Sequence, residues 1–270
     1  MPRFVVIDKK VGETPLAALH AWEKQHPQEA SLPASYAGRL DPMASGKLLV
    51  LLGEECKRQQ EYTGLDKEYE IEVLLDIGSD TGDVLGIPKD VDKKSVVDPR
   101  ALATILRREQ GVHTRAYPAF SSKTVAGKPL FLYALTNSLA TIEMPVHREN
   151  IFRIALLDQR TLSVSELKKT VYALLDTVPR TTEPSKRLGE DFRVDTIRTH
   201  WTTLFARASH RSFTVLTLRV TCGSGTYMRS LAGRIGTALD THALALSIKR
   251  TKIGRFRPIW RGRGLWLTSY

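Results

Sequence analysis

The 270-residue chain is short of several things. It has two cysteines, Cys56 and Cys222. That excludes a disulfide framework and suits free thiols in a reducing compartment. No apolar run approaches the length that spans a bilayer; the longest, Leu48 to Leu52, suits a buried strand. The start, Met1-Pro-Arg-Phe-Val-Val-Ile-Asp-Lys-Lys10, is too short and wrongly flanked for a signal peptide. These features place the protein in the cytoplasm. No Walker loop, dinucleotide fingerprint or zinc-spaced Cys/His cluster is present, and the seven histidines never pair at ligand spacing. Chemistry, if any, has to run on carboxylates, arginines and tyrosines. Acidic residues are also missing from the end of the chain: none follows Asp240.

What is present is positive charge. Forty Lys and Arg against 29 Asp and Glu leave +11. Seven unopposed cations, from Lys249 to Arg263, lie in the last thirty residues, interleaved with Phe256, Trp260 and Trp266. Cations for phosphate and rings for stacking suit nucleic acid. A solvated basic tail reads equally well from charge alone. Hydrophobic residues at 42% give an ordinary globular composition with a substantial core.

Strand patterns occupy Phe4 to Asp8, Leu48 to Leu52, Glu68 to Ile77 and Phe213 to Cys222, with one or two more between Glu143 and Leu157. Helical patterns run over Thr14 to His26, Pro99 to Arg108, Ser165 to Leu175 behind a Ser163/Ser165 cap, and Thr226 to about Leu239. Residues 179–200 are polar and read as a mobile loop leading into a short element. Strands and helices do not alternate regularly. That argues for an α+β fold with a largely antiparallel sheet.

Three segments could carry chemistry. Tyr36 to Gly46 holds Gly38-Arg39-Leu40-Asp41-Pro42 beside an apolar strand, a rigid support for a loop carboxylate. Asp41-Pro42 also reads as a helix N-cap and first helical position. Lys67-Glu68-Tyr69 opens a strand, where an edge tyrosine is equally ordinary. Thr221 to Ser230 passes from a strand through a Gly-rich turn into a helix. Backbone N–H groups there can hold an anion. Arg229 in the first helical turn opposes the helix dipole, which points to an anionic partner.

Together these segments resemble the TruB family of pseudouridine synthases over most of residues 4–256. The matches are Lys9-Lys10-Val11-Gly12-Glu13-Thr14, Gly38-Arg39-Leu40-Asp41-Pro42-Met43-Ala44-Ser45-Gly46, Lys67-Glu68-Tyr69, Asp80-Thr81-Gly82-Asp83-Val84-Leu85-Gly86, Pro118-Ala119-Phe120-Ser121 with Gly127-Lys128, and Gly225-Thr226-Tyr227-Met228-Arg229. Their order is specific where any single one is weak.

The resemblance implies the pseudouridine synthase fold: a central mixed, mainly antiparallel sheet flanked by helices. It implies a catalytic domain over 1–256 with an RNA-gripping insertion at about 112–150. The stretch 257–270 is then a basic aromatic tail, where many relatives carry a PUA domain. Asp41 would be the nucleophile, Arg229 its partner, and Tyr69 the ring that stacks on a flipped uridine. Lys9, Tyr36, Arg39, Lys67, Lys123, Lys128, Tyr227 and Arg255 would contact RNA. The substrate would be uridine 55 in the T-loop of tRNA, the protein a monomer, and no metal or organic cofactor would be needed. Departures from the family pattern fall at Lys10, Pro15, Tyr36 (a histidine in the family), Arg115, Tyr117 and the displaced Lys123. Two other readings stay open: an RNA-binding or tRNA-folding module with little catalysis, and a synthase acting on other RNA.

Overall fold

A computed structural model describes residues 3–89, 95–178, 193–208, 210–260 and 263–270. The chain opens with strand β1 (Phe4–Lys9) and helix α1 (Pro15–Gln25). Thr14 caps α1 by accepting from Ala17 N at 3.1 Å, and Pro15 takes the first turn, where its missing N–H costs nothing. Strands β2 (Ala34–Ala37) and β3 (Ala44–Leu52) follow, then a short helix α2 (Gln59–Thr63) and strand β4 (Asp66–Leu75). Two short strands, β5 (Gly78–Ser79) and β6 (Pro88–Lys89), pair around the turn at 80–87. Helix α3 (Pro99–Arg108) starts on an Asp98 cap and leads to β7 (Gly111–Ala116).

Residues 117–145 form an arm on this frame. It carries the small hairpin of β8 (Thr124–Val125) and β9 (Lys128–Pro129) and the short helix α4 (Leu130–Leu135). The stretch expected to hold one or two strands is a single 18-residue strand, β10 (Val146–Ser163), because it pairs in succession with β7 and with β11 (Ser212–Cys222). Ser163 and Glu166 then form a full capping box that starts α5 (Val164–Asp176). The expected loop at 179–192 lies outside the described residues. The element after it is not short: α6 (Val194–Arg207) runs 14 residues and buries Trp201 completely. Helix α7 (Met228–Ala238) begins two residues later than its sequence pattern.

The last part of the chain departs most from expectation. Residues 243–260 form one strand, β12 (Ala243–Trp260), and β13 (Arg263–Ser269) folds back on it. The described residues 257–260 and 263–269 are therefore part of the sheet and not a tail hanging from it. Cross-strand hydrogen bonds and the ring contact of Phe256 with Trp266, at 5.4 Å, hold it there.

The nine-stranded sheet runs β1-β3-β12-β4-β11-β10-β7, with β2 on β3 and β13 on β12. Every pairing in it is antiparallel except β3 with β12. The run Leu48 to Leu52 is apolar throughout because β3 is covered on both faces. Leu48, Val50 and Leu52 pack under α1, while Leu49 and Leu51 pack with Leu65 and Ile253. Among the described residues no helix is long and apolar enough to cross a membrane, and both cysteines are free.

Candidate active site

The loop before β3 carries Asp41, and it is not a helix start. Ala44 N donates to the Asp41 carbonyl at 2.9 Å, closing a turn that leads directly into the strand. This turn is clamped from beneath. Lys9 Nζ donates to the carbonyls of Lys10 at 2.9 Å, Pro42 at 3.3 Å and Ala44 at 2.5 Å. Gly12 N donates to the Pro42 carbonyl at 2.8 Å. Arg250 donates from Nε to the Lys47 carbonyl and from Nη2 to the Gly38 carbonyl, so it ties both ends of the loop together. Gly46 allows the close approach of β12: its φ is +99°, and a Cβ there would sit 2.3 Å from the Arg250 carbonyl oxygen.

Arg229, the second residue of α7, faces this loop. Its side chain is 6% exposed, while that of Asp41 is 44% exposed and open to a substrate. Nε donates to Asp41 Oδ2 at 2.7 Å, Nη1 to the Thr81 carbonyl at 2.7 Å, and Nη2 to the Phe120 carbonyl at 3.0 Å. Three separate segments thus meet on one guanidinium: the catalytic-type loop, the turn at 80–87 and the arm.

Asp83 is a second acidic neighbour, with Oδ2 3.5 Å from Arg229 Nε. Its other oxygen is taken by Thr81 Oγ1 at 2.7 Å and Leu85 N at 3.0 Å. Burial pushes the Asp83 carboxyl up to about 6, with Arg229 pulling the other way. Burial disfavours the charge on Arg229, but Asp41 and Asp83 more than offset that and hold its pKa above the usual value.

A cavity of about 280 Å³ opens over Asp41. Arg39, Lys67, Tyr69, Tyr227, Arg229 and Arg250 are among the side chains around it. The volume suits one extruded nucleoside, not a duplex. Burial raises the Tyr69 and Tyr227 phenols. Both rings therefore stay neutral and available for stacking.

The sequence-expected residues separate clearly. Asp41, Tyr69, Arg229, Arg39, Lys67 and Tyr227 come together around the cavity. Lys123 and Lys128 are on the arm, with Nζ 5.4 Å from the Tyr117 ring centre and 4.6 Å from that of Tyr133. Arg255 is exposed on β12, opposite Thr268 of β13.

Two expectations need correction. Lys9 does not present its charge to RNA: it is buried, and its donors are spent on the three carbonyls under the Asp41 loop. The half-buried Tyr36 ring packs against the cluster of Leu48 and Val50 under α1 and is not among the residues that line the cavity. Lys67 faces the cavity but is buried, donating to the Thr63 and Leu65 carbonyls at 2.6 and 2.5 Å. Arg115 is engaged by Glu109 at 3.5 Å and Glu149 at 3.6 Å.

Asp83 and Arg250 were not singled out from sequence. The Asp80-Thr81-Gly82-Asp83 turn was a usable signal for the first. Arg250 lies in a strand that the sequence pattern did not reveal.

A family model described as "TruB family pseudouridylate synthase (N terminal domain)" matches residues 30–171. A tRNA pseudouridine synthase B from Bordetella avium is 26% identical over 93% of this chain and 81% of its own length. One from Cupriavidus metallidurans is 28% identical over 82% of this chain. The match spans about half of that relative, 54%. Among solved structures, a chain of a Cbf5-Nop10-Gar1 complex superposes with a TM-score of 0.53 at 18% identity, covering 93% of this chain and 49% of that one; this likeness is one of fold. With more than half of its residues inside the family match, the chain belongs to the TruB family of pseudouridylate synthases.

Proposed function

We propose that this protein isomerises uridine to pseudouridine in RNA, and that its target is uridine 55 in the T-loop of tRNA. The observation that carries the reading is the Asp41–Arg229 pair, 2.7 Å apart at the mouth of a nucleoside-sized cavity with Tyr69 in its wall. The relatives named tRNA pseudouridine synthase B support tRNA as the substrate.

In this scheme the target uridine is flipped out of the T-loop, at a cost of a few kcal/mol that stacking on Tyr69 partly offsets. Arg229 holds the Asp41 carboxylate charged and aimed at the nucleoside. Asp41 acts as the nucleophile. The uracil ring is freed, turns and rejoins the sugar through C5. Tyr69 lies against the base near the proton that must leave. Arg39 and Tyr227 hold the flanking parts of the nucleotide, and Lys123, Lys128 and Arg255 contact the RNA backbone. The catalytic unit is the nine-stranded sheet with its helices, β13 included, and the arm is its RNA grip. The bond-making steps of the scheme draw on carboxylate, guanidinium and phenol groups, in a cytoplasmic monomer.

The test is tritium release from a T-arm RNA carrying [5-³H]uridine at the target. Wild-type protein should release the label and Asp41→Asn should not. Equal release by both would sink the assignment. Pseudouridine mapping in total RNA, with and without the gene, identifies the target position.

A further inference from the structure

Two buried cations border the cavity without a carboxylate at ion-pair distance; Asp66 acts on Lys67 only from farther away. Arg250 is 1% exposed; the two hydrogen bonds already described run to main-chain carbonyls, and its further side-chain partner is the neutral Tyr69 phenol. Lys67 is likewise buried, and its own hydrogen bonds run to main-chain carbonyls. Among the described residues neither has an acidic oxygen within 4.0 Å. Arg229, in the same cavity wall, has two carboxylates at that range. Carbonyls satisfy N–H donors, but they do not cancel a unit charge.

The two heads are also close to each other. Arg250 Nη1 and Lys67 Nζ lie 3.6 and 3.8 Å from the single point that a Cβ on Gly38 would occupy. Glycine leaves that point empty, on the cavity side of the loop. Like charges held together away from water are costly until an anion joins them. Burial, followed by the Arg250 charge, brings the Lys67 ammonium down to about 8. It remains mainly protonated at neutral pH.

The reaction proposed above, on which this inference rests, generates an anion in this cavity. When the C1′–N1 bond breaks, its electron pair stays on N1 and the ring leaves as uracilate. The charge is shared among N1, O2 and O4. Asp41 makes good the deficit on the sugar, by bonding to C1′ or by taking the C2′ proton. When a ring electron pair then joins C5 to C1′, Asp41 is released or returns its proton. N1 takes up a proton and C5 loses one.

We propose that Lys67 and Arg250 form the binding site for the detached uracilate and hold its two carbonyl oxygens while the ring turns. The geometry of uracil favours this. A half-turn about the N3–C6 axis exchanges N1 with C5 and O2 with O4. Two cations that hold the oxygens before the turn can hold them after it. Charge attraction tolerates the intermediate orientations better than directional hydrogen bonds would.

The test compares leaving groups. Lys67→Met and Arg250→Met are assayed in single turnover on T-arm RNA with uridine or 5-fluorouridine at the target, following loss of the N-linked nucleoside. Fluorine acidifies uracil, so its anion needs less help. Each variant should slow the uridine reaction by about 10²-fold and the fluorouridine reaction by about tenfold less, with tRNA affinity unchanged. Equal slowing of both RNAs overturns the proposal and leaves these residues as loop supports. Weaker tRNA binding at an unchanged single-turnover rate overturns it in favour of a phosphate contact. A wild-type protein that converts neither RNA sinks the synthase reading and this inference with it.

Discussion

Arg229 is bound to Asp41 through one nitrogen only: Nε donates to Oδ2 at 2.7 Å, while Nη1 and Nη2 serve the Thr81 and Phe120 carbonyls. The guanidinium is thus a three-way joint as well as a counter-ion. Lysine cannot reproduce it, because an ammonium lacks the planar fork that reaches all three acceptors. Arg229→Lys should lower the single-turnover rate on T-arm RNA by at least about 10²-fold, with tRNA affinity held within a few-fold. A loss confined to affinity would remove Arg229 from the chemistry.

Asp83 gives a pH signature. Its folded pKa of about 6 stands above the ordinary 3.8. The stability linked to its protonation is fully present below about 4 and is lost as the pH rises through 6. Between pH 4 and 7 the wild type should therefore lose roughly 2 kcal/mol relative to Asp83→Asn. Urea unfolding of both proteins across that range measures it. A constant difference would mean that Asp83 titrates normally.

Gly46 is constrained by the neighbouring strand. An alanine there meets the Arg250 carbonyl oxygen at 2.3 Å in a backbone conformation that side chains disfavour. Gly46→Ala should part β3 from β12 and cost more than about 3 kcal/mol, seen as a fall in Tm. An unchanged Tm would show that the parallel pairing does not support the fold.

Arg255 tests the RNA surface. It is exposed beside β13 and forms no part of the cavity. If it meets a phosphate, Arg255→Ala should weaken tRNA binding and reduce the slope of log affinity against log salt by about one. Binding that keeps the wild-type slope would place the RNA elsewhere.

The sequence makes some of this legible and hides the rest for physical reasons. Helix α3 matches its pattern at both ends, because Asp98-Pro99 supplies the cap and first turn locally. The capping box at Ser163 is equally local. Strand β12 was not legible. Its residues alternate poorly because Ala243 to Leu246 are buried on both faces of the sheet. The site shows the same division. Asp41, Tyr69 and Arg229 stand in short motifs, whereas the placement of Lys9 and Tyr36 depends on the packing of α1 and the Asp41 loop. Surface charge in a sequence does not say which way a lysine points.

Lys9, Gly46, Arg250 and Tyr69 are direct partners across four adjacent strands, β1, β3, β12 and β4. They occupy a single rung of the sheet. A strand shifted by one residue turns its side chains to the opposite face. Inserting one residue in β12 ahead of Ile248 would carry Arg250 off the rung even if every amino acid were kept. Changes of length that keep this rung intact therefore belong in the loops that join these strands, and the strands themselves accept substitution only.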